Sequence, residues 1–226
     1  GENNKWISHF KGQPVVINNQ LYTCRTRKNS VTIPEGVVKI CREAFKGNEF
    51  IETVIFPSTL KEIDSEAFAE CQKLTAVYLP EGLEHLGEKC FFHCESLSTV
   101  NLPDSLMEVS RSTFESCSAL TEVTFGENIE SIGEKAFYKC GALKNALMKD
   151  KVKTIMPEAF SGCSALSEVR LSNSLEQIGE KAFENCASLE AATIPPLVRK
   201  LEKSLFRGCK SLKQIKTSDT LAEIGE

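Results

Sequence analysis

The stretch Leu166–Cys186 reads LSEVRLSNSLEQIGEKAFENC, and close variants of it follow one another along most of the chain. Steps of 23 residues from Val31 keep the apolar positions in phase through eight consecutive units, without insertion or deletion. With Val31 as position 1, position 15 is phenylalanine in every complete unit: Phe45, Phe68, Phe91, Phe114, Phe137, Phe160, Phe183 and Phe206. Because a 23-residue unit cannot bury its own apolar residues, the units are predicted to stack around one continuous core.

Around position 1 the order is Leu-x-x-Val-x-Leu or a close apolar variant, as in Leu97–Leu102, which is typical of the strand of a leucine-rich repeat. Side chains alternate along a strand, so positions 1 and 3 are predicted to face the core and positions 23 and 2 the solvent. Proline at position 4 is expected to end the strand, and glycine at position 11 to mark a second bend. The segment 133–137 suggests one short helical or 3₁₀ turn that carries Phe137 inward.

These patterns predict a leucine-rich-repeat solenoid of the α/β class, made mostly of short parallel strands on one side, with turns or short 3₁₀ helical pieces. It has eight full 23-residue repeats and a partial ninth, over residues 31–226. Residues 1–30 do not fit the repeat. Their apolar runs around Asn18 and Asn19 predict a β-hairpin that caps the first repeat and blocks pairing at its edge.

The repeats resemble the BspA-like, or Treponema-type, leucine-rich repeats, whose pattern is Leu-x-x-Leu-x-Leu-Pro-x-x-Leu-x-x-Ile-Gly-x-x-Ala-Phe-x-x-Cys. The resemblance covers residues 31–226. It departs from the more familiar leucine-rich repeat, because residues such as Ser105 replace the usual asparagine or cysteine after the strand. Proteins with BspA-like repeats are typically surface-exposed adhesins. The resemblance therefore implies a non-enzymatic bacterial protein, at the cell surface or secreted, that holds host proteins or other cells.

Seven of the ten cysteines fall at position 18: Cys71, Cys94, Cys117, Cys140, Cys163, Cys186 and Cys209. We interpret this column as small buried thiols, since free cysteine behaves as a small hydrophobe. The alternative is a metal or redox array, but stacked identical positions suit neither a tetrahedral site nor disulfide torsions. Cys24, Cys41 and Cys90 lie outside the column, and a Cys24–Cys41 disulfide remains an open alternative.

His85, Cys90, His93 and Cys94 share the third repeat and could be imagined as metal ligands. Positions 9 and 17 are polar in most repeats, so the two histidines are expected to face solvent. The carboxylates at positions 12 and 13 share their columns with lysine and serine, which indicates a solvated face: Glu134, Glu158 and Glu180. With no phosphate-binding loop or nucleophile elbow in the sequence, we predict no enzyme, no metal and no cofactor.

The net charge of −4 argues against a nucleic-acid partner. The sequence contains no run of 18 apolar residues, so we expect no membrane insertion of this segment. No signal peptide is visible before the repeats. We interpret Gly1 as the start of a trimmed chain from which a targeting segment has been removed. Residues 192–216 carry seven basic residues against one acid, a charge of +6 that leaves −10 for the remainder. This basic end is either an ordinary solvated face or a docking site for an acidic partner.

The expected partner-binding surface is the outward side of the strands, where most residues are polar. Ile55, Ala76 and Tyr78 are exceptions and lie on neighbouring strands. Adjacent exposed apolar groups are candidate contacts, unless the N-terminal segment folds over them. The complete set of predicted contact residues is Ile55, Ala76, Tyr78, Asn101, Arg170, Lys213 and Lys216.

Three functions fit these features. The first is a surface or secreted adhesion module that holds a protein or glycan. The second is a rigid spacer that presents another domain, and the third is a carbohydrate-capturing module, for which Tyr78 and Trp6 provide few aromatic rings. Further domains beyond Glu226 would favour the spacer. Weak self-association through the ends of the solenoid is also expected.

Overall fold

The computed structural model describes residues 12–225, which form a solenoid with two short strands in each repeat. An antiparallel hairpin of β1 (Val15–Ile17) and β2 (Gln20–Thr23) precedes it. The strands at positions 23, 1 and 2 are β3 (Ser30–Thr32), β5 (Thr53–Ile55), β7 (Ala76–Tyr78), β9 (Thr99–Asn101), β11 (Glu122–Thr124), β13 (Asn145–Leu147), β15 (Glu168–Arg170), β17 (Ala191–Thr193) and β19 (Gln214–Lys216). Those at positions 9 and 10 are β4 (Lys39–Ile40), β6 (Glu62–Ile63), β8 (His85–Leu86), β10 (Glu108–Val109), β12 (Ser131–Ile132), β14 (Thr154–Ile155), β16 (Gln177–Ile178), β18 (Lys200–Leu201) and β20 (Glu223–Ile224).

Most equivalent strands of successive repeats pair in parallel and in phase, so that Val31 lies beside Val54 and Ile40 beside Ile63. The ladders are interrupted between β8 and β10, β11 and β13, β15 and β17, and β16 and β18. The predicted leucine-rich-repeat solenoid is confirmed. The expectation of strands on one side only was wrong, because positions 9 and 10 form a second set of parallel ladders. Each strand of the second set is only two residues long, which is too short to show an alternation of apolar and polar residues. The sequence pattern therefore did not reveal this second set.

The segment between the second strand and the cysteine forms consecutive β-turns, and no helix occurs among residues 12–225. The helical or 3₁₀ turn expected at 133–137 is therefore absent. Lys135 and Lys139 have positive φ angles of 56° and 58°, and the amide of Phe137 donates to the carbonyl of Ala159 in the next repeat at 2.8 Å. Hydrogen bonds between repeats replace those that a helix would make within itself.

Position 11 is glycine in alternate repeats from Gly87 onward, and at these glycines the backbone of the preceding repeat approaches closely. A Cβ built on Gly133 would lie 2.7 Å from the carbonyl oxygen of Val109, and one on Gly87 would lie 2.4 Å from the amide nitrogen of Ser65. Neither glycine has a positive φ. Its role is close packing of backbones, which refines the expectation of a simple bend.

Positions 13 and 17 adopt positive φ in all eight complete repeats, although the residue is glycine in only three cases, at position 17. Left-handed backbone costs a residue with a side chain roughly 1–2 kcal/mol. Gly47, Gly162 and Gly208 avoid this cost at position 17, whereas Glu70 adopts a φ of 63°.

We therefore expect Glu70→Gly to raise the free energy of unfolding by about 0.5–1 kcal/mol, because relief of left-handed strain exceeds the entropic cost of glycine. Glu52→Gly is the matched control, since Glu52 is exposed and lacks a positive φ. That variant should lose about 0.5–1 kcal/mol. Denaturant unfolding measures both, and equal losses in the two variants would contradict the strain argument.

The phenylalanines of position 15 form one continuous stack through the core. Rings of successive repeats lie 4.7–5.8 Å apart between centroids and are inclined by 3–14°. The rings from Phe45 to Phe183 are fully buried, while Phe206 in the last complete repeat is partly exposed. Offset stacking at this separation is favourable beyond the buried area alone.

Phe137→Ala should lower the free energy of unfolding by about 3–5 kcal/mol, because it opens a cavity between two stacked rings. Phe50→Ala removes a ring that is 40% exposed and should cost much less. Urea titration of the two variants tests the difference. A loss below about 1 kcal/mol for Phe137→Ala would show that the stack does not contribute to stability.

The cysteines of position 18 hydrogen-bond between repeats. Each Sγ lies close to the carbonyl oxygen of the phenylalanine 26 residues earlier, as in Cys140 to Phe114 at 3.1 Å and Cys163 to Phe137 at 3.2 Å. Asn48 replaces cysteine in the first repeat, and its amide donates to the carbonyl of Thr26 at 3.0 Å. The cysteine column thus donates a hydrogen bond to a turn carbonyl of each preceding repeat. The sequence by itself predicts only that these thiols are small and buried.

All ten cysteines are free, so Cys24 and Cys41 are not joined. Eight are buried, and burial raises the pKa of Cys71 to about 12 and the pKa of Cys117 further. Cys41 and Cys209 are partly exposed. A hydrogen bond with the thiol of Cys186 lowers the pKa of Cys209.

Thiol titration of the native protein at pH 8 should therefore label Cys209 first, then Cys41, and leave eight thiols unlabelled, because only a thiolate reacts. Denaturation should expose all ten. Cys209→Ser should remove the fast phase and nothing else. Labelling of Cys117, Cys140 or Cys163 under native conditions would contradict the burial of the column.

The N-terminal hairpin extends the second set of ladders. Asn18 and Asn19 turn the chain with φ angles of 49° and 62°, and β2 pairs in parallel with β4, so that Leu21 lies beside Ile40. Leu21 is fully buried and joins the core of the first repeat. The division into a cap of residues 1–30 and a solenoid of residues 31–226 stays a prediction, and residues 1–11 lie outside the described part.

Candidate functional site: the sheet face

The outward side chains at positions 23 and 2 of the three-residue strands form a broad surface, here called the sheet face. Ile55 and Tyr78 are 57% and 73% exposed, and each occupies position 2 of its repeat. The strands β5 and β7 are paired through Thr53 and Ala76, so the two apolar side chains lie on adjacent strands. At a strand spacing of about 4.8 Å they form one patch.

Asn101 borders the patch and hydrogen-bonds to the residue that follows strand β7. It pairs with Tyr78 across β7 and β9, and its Oδ1 accepts a hydrogen bond from the amide of Leu79 at 3.2 Å. Ala76 and Asn101 are both half-buried. The structure therefore brings Ile55, Ala76, Tyr78 and Asn101 together over three consecutive repeats, supported by a fully packed core.

The hairpin does not cover this patch. Residues 12–30 extend the other set of ladders through β2 and β4, and Tyr78 lies two repeats further along the solenoid. The alternative that the N-terminal segment folds over Tyr78 therefore does not hold for residues 12–30. Residues 1–11, including Trp6 and His9, lie outside the described residues.

The remaining predicted contact residues are far from the patch. Arg170 occupies position 2 four repeats beyond Tyr78, about 19 Å away at the usual strand spacing, and Lys216 lies six repeats beyond, about 29 Å away. Lys213 lies three residues before Lys216, and its Nζ lies 3.0 Å from a carboxylate oxygen of Glu190. Arg170 and Lys216 therefore share the sheet face with the patch without sharing its site, and Lys213 lies beside that face at position 22.

The basic end is distributed around the solenoid instead of forming one patch. Arg199 and Lys200 lie at the second strand, and Lys203 and Arg207 lie in the turns. Lys216 lies on the sheet face and Lys213 beside it. Lys200 pairs with Glu202 and Glu223, and Arg207 pairs with Glu184 at 3.7 Å. Basic residues that are close in sequence are therefore spread around the solenoid, because one 23-residue repeat encircles the core.

The third repeat does not assemble the imagined metal site. Cys90 and Cys94 are completely buried, whereas His85 is exposed and His93 is partly exposed. Across residues 12–225, no three histidine, cysteine or acidic side chains are placed to hold a metal ion. His93 instead lies 3.5 Å from a carboxylate oxygen of Glu95.

Leu147 is a further apolar residue on the sheet face that sequence reasoning did not single out. It occupies position 2 of the sixth repeat and is 40% exposed. The sequence did contain a signal for Leu147, since the other residues at position 2 are mostly polar.

No helix in the described part of the chain is long and apolar enough to cross a membrane.

Comparison with solved structures finds similar proteins of bacterial origin. A leucine-rich cell surface protein from Faecalibacterium prausnitzii is 26% identical, with a TM-score of 0.56, and the match covers 84% of this chain and 60% of that one. A leucine-rich repeat protein from Eubacterium ventriosum is 24% identical with a TM-score of 0.70, over 74% and 46% of the two chains. The chain thus spans about half of these relatives' length.

A third similar structure is the T. pallidum leucine-rich repeat protein, which is 23% identical with a TM-score of 0.55, over 94% of this chain and 82% of that one. A search of curated proteins found no significant match. Residues 15–144 and 130–226 match the family described as BspA type leucine rich repeat region, in six copies. With its 23-residue repeats, stacked phenylalanines and buried cysteine column, the chain belongs to the BspA-type leucine-rich repeat family.

Proposed function

We propose that this chain is a non-enzymatic binding module of a bacterial surface or secreted protein, which holds a macromolecular partner on its sheet face. The observation that carries the proposal is the pair Ile55 and Tyr78, exposed side by side on adjacent strands. The fold does not need these side chains, because Thr32 and Thr124 occupy the same position in other repeats. An exposed aromatic and aliphatic pair on a rigid sheet is typical of a contact centre.

Family membership and the F. prausnitzii relative, a cell surface protein, support the proposed location. Tyrosine suits a contact centre because its ring buries apolar area while its hydroxyl keeps a hydrogen bond. Beside the patch, the hydroxyls of Thr75 and Ser98 already donate to carbonyls of the preceding repeat. The patch itself contains no charged side chain, so a protein surface with apolar side chains fits it better than a charged polymer.

Binding of the purified chain to immobilised extracellular-matrix proteins, measured by surface plasmon resonance, tests the proposal. Tyr78→Ala should weaken binding at least about tenfold at any ionic strength, because buried apolar contact is insensitive to salt. Lys213→Glu should weaken binding mainly at low salt. Met107→Ala is the control, since Met107 is 55% exposed beside the second strand, away from the sheet face.

Two results would overturn the proposal. Unchanged binding by Tyr78→Ala together with lost binding by Lys213→Glu would move the site to the C-terminal end. Binding to none of the matrix proteins would favour the spacer, a second candidate supported by the unbroken ring stack from Phe45 to Phe206. A continuous core of this kind makes a stiff rod.

A further inference from the structure

The turns on another side of the solenoid carry two aromatic rings that the fold does not require. Phe92 and Tyr138 occupy position 16 of the third and fifth repeats, where other repeats have residues such as Ala69, Glu115 and Ser161. Both rings are half-buried on the outside of the core. Two repeats separate them, so they lie about 10 Å apart along the axis.

Lysines accompany both rings. The Nζ of Lys89 lies 5.5 Å from the ring centroid of Phe92, and those of Lys135 and Lys139 lie 5.7 Å and 5.2 Å from that of Tyr138. Among the described residues, Lys89 and Lys139 have no carboxylate within ion-pair distance, while Lys135 approaches Glu158 at 3.9 Å. Two lysines are therefore available to an external anion, next to apolar ring faces.

We propose that this ring–lysine strip, formed by Lys89, Phe92, Lys135, Tyr138 and Lys139, binds a linear acidic oligosaccharide. The C–H faces of pyranose rings pack on aromatic rings, and uronate or sulfate groups pair with lysine. The distance between Phe92 and Tyr138 is close to the length of a disaccharide, so alternate sugars meet a ring. Ser116 lies between the rings and offers its hydroxyl to the intervening sugar. Glu115 lies beside it and can only accept hydrogen bonds from sugar hydroxyls, so the acidic groups of the sugar must lie at the lysines and away from Glu115.

An acidic peptide fits the strip less well, because the backbone there is already fully paired. The amides of Lys89 and His93 donate to the carbonyls of Arg111 and Glu115 at 2.9 Å, and the amide of Lys139 donates to that of Ser161 at 2.8 Å. A peptide would find no free strand edge to extend, which is the usual source of its affinity. Recognition must come from rings and charges, as in sugar binding.

The strip was not visible in the sequence, where Tyr78 and Trp6 had suggested too few aromatic rings for a sugar platform. Phe92 and Tyr138 are 46 residues apart and come into line only because each repeat contains 23 residues. The strip is separate from the sheet face. If the strip does not bind a sugar, the proposed protein-binding function of the sheet face still stands. If the sheet face binds no protein, the proposal for the strip still stands.

Isothermal titration of the whole chain with a hyaluronan hexasaccharide and a heparin hexasaccharide tests the inference and distinguishes carboxylate from sulfate recognition. The double variant Phe92→Ser/Tyr138→Ser should weaken binding at least about tenfold. Lys89→Ser/Lys139→Ser should weaken it mainly at low salt. Serine occurs naturally at all three of these positions, as Ser112, Ser161 and Ser116, so both variants should fold with an unchanged unfolding midpoint.

Tyr78→Ser is the matched aromatic control, and Lys73→Ser the matched exposed-lysine control; neither should change the affinity for the hexasaccharide. Three results would overturn the proposal. They are no binding of either hexasaccharide at millimolar concentration, equal binding by wild type and Phe92→Ser/Tyr138→Ser, or equal binding of hexaglutamate, which would show attraction to any polyanion.

Discussion

The whole structure depends on the contact of each residue with its equivalent 23 residues away. Parallel pairing in phase places Val31 on Val54 and Ile132 on Ile155, so every side chain has a copy of its own position above and below. Each position must therefore accept a neighbour of its own kind. Phenylalanine meets this condition by offset stacking, and cysteine meets it by donating to a turn carbonyl of the preceding repeat.

The same constraint explains the surface charges. Several ion pairs join residues 23 apart, including Lys39 with Glu62 at 2.7 Å, Lys153 with Glu130 at 2.7 Å, and Arg111 with Glu134 at 3.2 Å. Like charges in one column would repel along the axis, and in these three columns no two like charges occupy successive repeats. Such exposed pairs contribute little individually, about 0–1 kcal/mol. Their main effect is to prevent repulsion between stacked repeats.

Function follows from the positions that this constraint leaves free. Position 2 faces solvent, and its side chains pack against neither Phe137 nor the cysteine column, so Tyr78 and Ile55 are tolerated there at no cost to the core. Position 16 is less open, since Ala69 and Ser161 are buried there, but it accepts the half-buried rings of Phe92 and Tyr138. The two proposed surfaces lie on different sides of the same core, so the proposed partners would not compete for one site.

The sequence by itself determined the solenoid, its repeat length, the buried columns and the outward direction of Ile55 and Tyr78, because all of these follow from a period of 23 and the alternation of a strand. Only the tertiary structure decided that positions 9 and 10 pair as a second set of strands, and that left-handed turns replace the expected helical turn at 133–137. Hydrogen bonds between repeats decide both, and a local pattern does not contain them. The same reason applies to the sites. The approach of Lys89 to the ring of Phe92 and of Lys139 to the ring of Tyr138, and the spreading of residues 192–216 around the solenoid, are set by the path of the chain around the core.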